Sequence, residues 1–317
     1  MRLLIPFAAP PATARAPADW TQARGAAGPA LPRLAALLAQ RVEAARDPGD
    51  ACSLTPPHER ALARALGWTG GDGRLPFAAR AARADGLDSG EVAVALVTPV
   101  HLELEMQQVR LADPARLELS EQDSRALFEA ARALVTSAGF GFAFGAASRW
   151  YLLHESLAEL ATASLDRAIG RSVTTWQRPE PEAGRIRRLQ SEVQMLLHVH
   201  PVNAAREARG LAPVNSVWLS GCGVAQHERG PAPAIDWRLR APALAGDAVA
   251  WGQAWQALDA GPIAALAAAA ARGEAVELIL CGERSGVTLR VRRRPAWQRL
   301  ALRLAAPPAP WALLESL

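Results

Sequence analysis

The chain has 317 residues, half of them hydrophobic and 21% charged, a globular composition large enough for one big domain or two modest ones. The formal net charge is +4, and all 35 basic residues are arginine, because the sequence contains no lysine. They are spread along the chain, as base composition of a genome produces. The densest run, Arg290 and Arg292 to Arg294, reads as a solvated strand end, and nucleic acid is excluded as the expected partner.

Residues 2–8 (RLLIPFA) predict a buried strand. The apolar start is too short, and too broken by Pro6, for a secretion signal. A Pro/Ala/Gly-rich loop then leads to about Pro32, and LPRLAALLAQRVEAAR has helical spacing with proline near its start. TPPHERALARALG predicts a second helix, with Thr55 as N-cap and Gly67 as stop; a third runs through residues 75–84. EVAVALVTPVHLEL is a β-branched, buried strand, and QQVRLADP a strand entering a turn. SEQDSRALFEAARALVTSAG opens on an S-x-x-D variant of the capping box at Ser120 and closes at Gly139. FGFAFGA and RWYLLH form a two-strand element, and the Pro- and Glu-rich residues 177–184 a surface linker.

AGRIRRLQSEVQMLLHVH is amphipathic, with apolar residues at 186, 189, 193, 196 and 197, and Pro201 ends it. VNAAREARG is a short helix and NSVWLSGCG a strand running into a glycine turn with close backbone packing. WGQAWQALDAGPIAALAAAAARG is mostly helical, AVELILCG and GVTLRVRRR pair antiparallel, and AWQRLALRLA closes the fold. Alternating strands and helices favour an α/β fold with a mixed sheet covered by helices.

No G-x-S-x-G elbow, Walker A loop, H-E-x-x-H or D-x-D-x-D-G motif is present, and SGCG lacks the helix a dinucleotide fingerprint needs. Cys52, Cys222 and Cys281 are isolated, which argues against a disulfide framework or zinc site and for a reducing cytoplasm. No apolar run approaches the ~18 residues of a membrane span.

The densest polar cluster is LLHVHPVNAAREARG. Its H-x-H pair, His198 and His200, could bind metal on a strand, but two helical steps turn about 200° and separate the rings. Gln194 and His198 share a helix face, with Glu192 on another side. Asn203 and Arg206 open the next helix, where free N–H groups and a guanidinium fork can hold a carboxylate or phosphate; capping and a surface arginine explain them equally well.

Residues 191–223 resemble the H-P-x-N-x-x-R-x-x-x-G…N segment of archaeal-type cofactor-independent phosphoglycerate mutases at His200, Pro201, Asn203, Arg206, Gly210 and Asn215. Most of the chain resembles the proteobacterial phosphoglycerate-mutase-like, RpfE-type regulatory proteins, on MRLLIPFA, SLTPPHERALARALGW, TPVH, TASLDRAIGR, LILCGERSG and a tryptophan-bearing C-terminal helix. The resemblance implies a mixed, mostly parallel sheet flanked by helices, alkaline-phosphatase-like in part. The expected layout is a single domain, 1–317, with a soft boundary near 177–184. The mutases use a two-metal centre with N-terminal Asp ligands and later Asp–His pairs. In this chain no aspartate precedes Asp19, and neither Asp-His nor His-Asp occurs.

The expectation is therefore a protein without that centre, with neither metal nor other cofactor, acting as a regulator or small-anion binder. Its ligand contacts would be His200, Asn203, Arg206 and Asn215, supported by Glu192, Gln194 and His198. Its partner would be a small phosphorylated or carboxylate metabolite or a protein, and not a membrane. Two alternatives stand beside it: an active Mn- or Zn-dependent mutase or phosphatase with rearranged ligands, and an interaction-only protein in which the segment is a rigid joint.

Overall fold

The computed structural model describes residues 1–11, 30–40, 43–105, 108–176, 181–291 and 310–317. In chain order its main elements are β1 (Arg2–Ile5), α1 (Pro32–Gln40), β2 (Glu43–Asp47), α2 (Pro57–Leu66) and α3 (Phe77–Ala84). Then come β3 (Val94–Val100), β4 (Leu102–Glu105), β5 (Gln108–Leu111), α4 (Glu121–Ser137), β6 (Gly141–Ala146) and β7 (Arg149–Leu153). They are followed by α5 (Pro181–His198), α6 (Pro201–Ala208), β8 (Ser216–Gly223), β9 (Ala234–Ile235) and α7 (Ala248–Leu258). The last are α8 (Ala264–Ala271), β10 (Val276–Cys281), β11 (Gly286–Val291) and α9 (Pro310–Glu315). Residues 12–29 of the first loop, the arginines 292–294, the whole of the expected closing helix and residues 177–180 of the expected linker lie outside the described residues.

The chain divides into two compact units. One comprises Met1–Cys52, Pro56–Leu66 and Gly230–Leu317; the other comprises Ser53–Thr55 and Gly67–Arg229.

The first unit is built on a five-stranded sheet of order β2-β11-β10-β1-β9. β1 runs parallel to both its neighbours, and β10, β11 and β2 are antiparallel. On one face, Val276, Leu278 and Leu280 of β10 join Leu3 and Ile5 of β1 in a core with Leu34, Leu37, Trp251 and Trp255. On the other face, Glu277 lies in register with Arg2 and Arg290 on the flanking strands, each guanidinium donating to it at 3.0 Å. Burial works against the charge of Glu277, but these two bonds outweigh it and hold the carboxyl below its ordinary range. Arg290, read from the sequence as a solvated strand end, thus has a partner within the sheet.

Residues 43–47 correct an expectation. The helical spacing that starts at Pro32 suggests one helix through Arg46, yet α1 stops at Gln40 and EAARD is an edge strand paired with β11 from Glu43↔Arg290 to Gly286↔Asp47. Tertiary hydrogen bonding has overridden the helix preference of Ala, Glu and Arg, as intrinsic propensities of a few tenths of a kcal/mol allow. Thr55 is not the residue before α2 either. The helix begins at Pro57, so Pro56 stands between them, and the Thr55 hydroxyl accepts from the Gly73 amide at 2.7 Å. The helix after residue 247 contains Pro262, which sits in a π-helical turn, Asp259–Ile263. That turn carries buried Asp259, whose carboxylate accepts the N–H groups of Arg33 (3.1 Å) and Leu34 (2.8 Å) and so caps α1 from a distance.

The second unit holds a four-stranded antiparallel sheet of order β6-β7-β3-β8, with β4 and β5 as a separate hairpin. Central β3 is apolar on both faces: Ala95 and Val97 enter the core with α4 and α5, while Val94 packs with Ala78, Ala79 and Ala82 of α3. Ser120 caps α4 by accepting the Asp123 amide at 3.0 Å, and Gly139 follows it at φ +84°, both as expected. Of the expected linker, residues 181–184 form the first turn of α5, with Ala183 buried.

The SGCG stretch is strand and bulge, not the expected turn. The register of β3 against β8 shifts between Val94 and Leu96, and Gly221 adopts φ +64°. The expected close packing is present, since a Cβ on Gly221 would lie 2.9 Å from the Ala78 amide nitrogen. Gly221→Ala should destabilise the second unit by more than about 1 kcal/mol, measured by chemical denaturation, because a positive φ and a backbone clash act together.

The α/β class with a mixed sheet flanked by helices is what the structure has. A parallel majority is not: among the described strand pairs only β1–β10 and β1–β9 are parallel. Hairpins need only short connections, whereas each parallel pair requires a crossover.

Candidate functional site

The HPVNAAR segment lies in the second unit, where α5 ends and α6 begins. His200 has extended backbone (φ −73°, ψ 134°) and is the N-cap of α6; its Nδ1 accepts from the Val202 amide at 3.2 Å. Pro201 occupies the first helical position, where its missing N–H costs nothing. Gly210 ends the helix at φ +74°.

Asn203 is buried. Its Nδ2 donates to Leu197 O, at the end of α5, and to Val214 O, both at 2.8 Å; its Oδ1 accepts the Val214 amide at 2.8 Å. Asn215 works the same way on Leu102, accepting its amide at 2.7 Å and donating to its carbonyl at 2.9 Å. Each asparagine amide thus imitates a neighbouring peptide group, and together they clamp consecutive residues ahead of β8.

Arg206 has 0% exposure. Nε donates to Ala212 O at 3.0 Å, Nη2 donates to Leu117 O, and Nη1 lies 3.5 Å from the Asp123 carboxylate. Asp123, in the first turn of α4, also receives Arg209 Nη2 at 3.0 Å. The guanidinium ties α6, the 211–214 return and the start of α4 together, with its charge facing a carboxylate of the protein.

The supporting residues sit elsewhere. Glu192 accepts from Arg188 at 2.9 Å, one turn earlier on α5. Gln194 and His198 are exposed on the same helix, sharing a face as the spacing predicts, near exposed Met195 and Val199. The structure therefore brings His200, Asn203, Arg206 and Asn215 into one joint, but through protein carbonyls and amides, and leaves Glu192, Gln194 and His198 on the surface of α5. Among the described residues no group of three or more His, Cys, Asp or Glu is placed to hold a metal ion.

Two further clusters escaped the sequence reading. In the second unit, Asp85 at the C-cap of α3 receives Arg149 through Nε (2.8 Å) and Nη2 (2.7 Å), and Tyr151 Oη at 2.6 Å. The Arg149 bonds hold the Asp85 carboxyl below the usual range, although burial pulls the other way. Burial, then the bond to Asp85, raises the Tyr151 phenol. In the first unit, at the carboxyl end of β1, Phe7 has φ 56° and its carbonyl accepts Trp251 Nε1 at 3.0 Å. The His58 ring lies 5.5 Å from both Phe7 and Trp237. Neither cluster has a motif, since its members are far apart in sequence; the one available signal was that Tyr151 is the chain's single tyrosine.

The three cysteines are free thiols. Burial pushes Cys222 and Cys281 up to about 12, which leaves both unreactive at neutral pH. No described helix is long and apolar enough to cross a membrane.

No family model matches the chain, and no curated protein matches it. Among solved structures it is similar to the cofactor-independent phosphoglycerate mutase from Thermoplasma acidophilum DSM 1728, with 14% identity over 92% of this chain and 89% of that chain, at a TM-score of 0.35. It is also similar to the PH0037 protein from Pyrococcus horikoshii, with 13% identity over 92% of this chain and 87% of that chain, at a TM-score of 0.44. At these values the likeness is distant and carries no argument about activity; the α/β class stands on the chain's own strands and helices.

Proposed function

We propose that the chain is a non-catalytic regulatory protein of RpfE type, derived from a phosphoglycerate-mutase-like ancestor, that binds a small metabolite or a protein partner and turns nothing over. The observation that supports this reading is the setting of Arg206. The segment resembling the mutase motif directs its guanidinium and both of its asparagine amides at the protein's own backbone, so the residues that would grip a phosphate serve as a joint. The joint keeps α5, α6 and β8 in register, and the functional surface lies elsewhere. A cytoplasmic setting fits its three free thiols.

The test is metal analysis of the purified protein together with turnover assays on phosphoglycerates and a generic phosphomonoester. The expected result is neither stoichiometric Mn or Zn nor turnover. Two bound Mn²⁺ or Zn²⁺ per chain, with mutase or phosphatase activity, would overturn the reading and establish the metal-dependent enzyme.

A further inference from the structure

In the first unit, beyond the carboxyl ends of β1 and β10, the turn 282–285 grips a segment from elsewhere in the chain. The two strands run parallel, and just past them the Ala8 amide donates to Cys281 O at 2.8 Å. The Gly282 amide closes the turn onto Ser285 O at 2.9 Å. The amides of Arg284 and Ser285 instead donate to one remote atom, Leu317 O, at 3.2 and 3.0 Å. The Ser285 hydroxyl, shared with Ser316 O at 3.4 Å, adds a third donor to that oxygen at 3.3 Å. A neutral carbonyl oxygen has two lone pairs, so three donors on one oxygen suit an anion better than a peptide group. Successive amides aimed at one point are the backbone device that captures carboxylates. Gly282 keeps the space open: a Cβ there would lie 2.6 Å from the Leu317 carbonyl carbon and 2.8 Å from the Ala9 Cβ. Leu317 fills that space, and its side chain, 3% exposed, joins Ala8, Ala9 and Leu314 in the core of the unit. The site has room for a leucine because it holds one. Residues 310–317 are fastened from outside by exposed Arg46, whose guanidinium donates to Ser316 O at 3.0 Å and to Ser316 Oγ at 2.9 Å.

We infer that the turn 282–285 is a binding site for a small branched-chain carboxylate, which residues 310–317 occupy in cis as a strap, so that ligand and strap exclude one another. The carboxylate takes the donors now on Leu317 O, and its branched end enters the core where the Leu317 side chain lies. The ligand thus restores the hydrogen bonds and the apolar contacts that the departing strap gives up. The carboxyl ends of parallel strands are also where ligands of α/β sheets bind. Occupancy of the turn then decides whether the strap is docked or free. The inference gives a ligand class to the binding role proposed above and rests on it, but it fails separately. Metal and turnover data decide whether the chain is an enzyme, whereas the acid series decides whether this turn is a site.

The probes are 4-methylpentanoate, which is leucine without its amino group, the neutral 4-methylpentanamide, and propanoate, which lacks the branched end. They are titrated into the full chain and into Arg46→Ala by calorimetry and by ¹H–¹⁵N spectra. Arg46 holds the strap through Ser316, so its loss loosens the competitor and spares the donors of the turn. 4-Methylpentanoate should bind saturably and about tenfold tighter than its amide, because a charge-assisted hydrogen bond is roughly twice as strong as a neutral one. Propanoate should bind more weakly than 4-methylpentanoate by about tenfold or more, having lost its buried tail. Arg46→Ala should tighten 4-methylpentanoate about threefold by weakening the docked strap. At saturation the Arg284 and Ser285 amide resonances should move downfield together, and the Leu317 amide, bonded to Leu314 O at 3.3 Å, should lose its protection against exchange. Absence of saturable binding in both chains, equal affinity for acid and amide, affinity unchanged by Arg46→Ala, or unmoved Arg284 and Ser285 resonances at saturation would each overturn the proposal. N-Acetylleucine tells a free acid from a peptide end: affinity more than about tenfold above that of 4-methylpentanoate would overturn the small-acid class. The resonances are read in the unsubstituted chain, so the test survives if Arg46→Ala does not fold.

Discussion

Arg206→Ala is expected to cost the folded state about 3–5 kcal/mol, the range found when one partner of a buried ion pair is removed. The side chain is fully buried, and its loss leaves the carbonyls of Ala212 and Leu117 without a donor and Asp123 with Arg209 as its remaining guanidinium partner. Set against a typical total of about 5–15 kcal/mol, that change can unfold much of the population at 37 °C. Urea denaturation measures it directly. Arg206→Lys should recover only part of the loss, because an ammonium cannot reach carbonyls on two sides with the planar geometry of a guanidinium. The same variant separates the two readings of the segment. At a structural joint Arg206→Lys lowers stability and leaves any metabolite affinity unchanged. If instead it weakens binding of a phosphoglycerate or a carboxylate in proportion to the lost guanidinium contacts, the joint is also the ligand site.

Asp85 yields the second large effect, and one that depends on pH. Its carboxylate anchors the end of α3 to Arg149 and Tyr151 of β7. Asp85→Ala leaves a fully buried tyrosine hydroxyl without an acceptor, at about 1–3 kcal/mol for such a group. The Arg149 side chain is 43% exposed and regains water, so its share is small. The sign of the pH dependence follows from the lowered folded-state value of Asp85. Above its ordinary unfolded value, near 4, the carboxylate is ionised in both states and the stabilisation is fully present. As pH falls from there through the lower folded-state value, the folded protein must take up a proton it resists, and the stabilisation is lost. Glu277, held low between Arg2 and Arg290, acts in the same direction. Unfolding curves from pH 7 down to pH 3 should therefore fall more steeply for the unsubstituted chain than for Asp85→Asn. Equal slopes would show that the triad does not couple stability to protonation.

Much of the local structure was legible in the sequence because its causes are local. The Ser120 cap, the Gly139 stop and the helix break at Pro201 each depend on a few adjacent residues, and the structure has all three. The HPVNAAR joint was legible as a polar cluster at a helix break. The partners of those side chains were not legible. Leu117, Leu102 and Asp123 lie far from Arg206 and Asn215 in the chain, and nothing in their identity marks them as acceptors or donors.

What the sequence by itself determined is therefore several helix ends, the place of most strands, the isolation of the cysteines and the place where polar chemistry concentrates. The tertiary structure alone decided that EAARD is an edge strand, that SGCG is a bulge and that Asp259 caps a helix more than two hundred residues away. It also decided that Arg206 faces backbone. The physical reason is the same in each case. A cap or a hydrophobic stripe acts through neighbours within a turn or two, whereas hydrogen-bond partners, buried charges and cavities are set by which distant segments the packed core brings together.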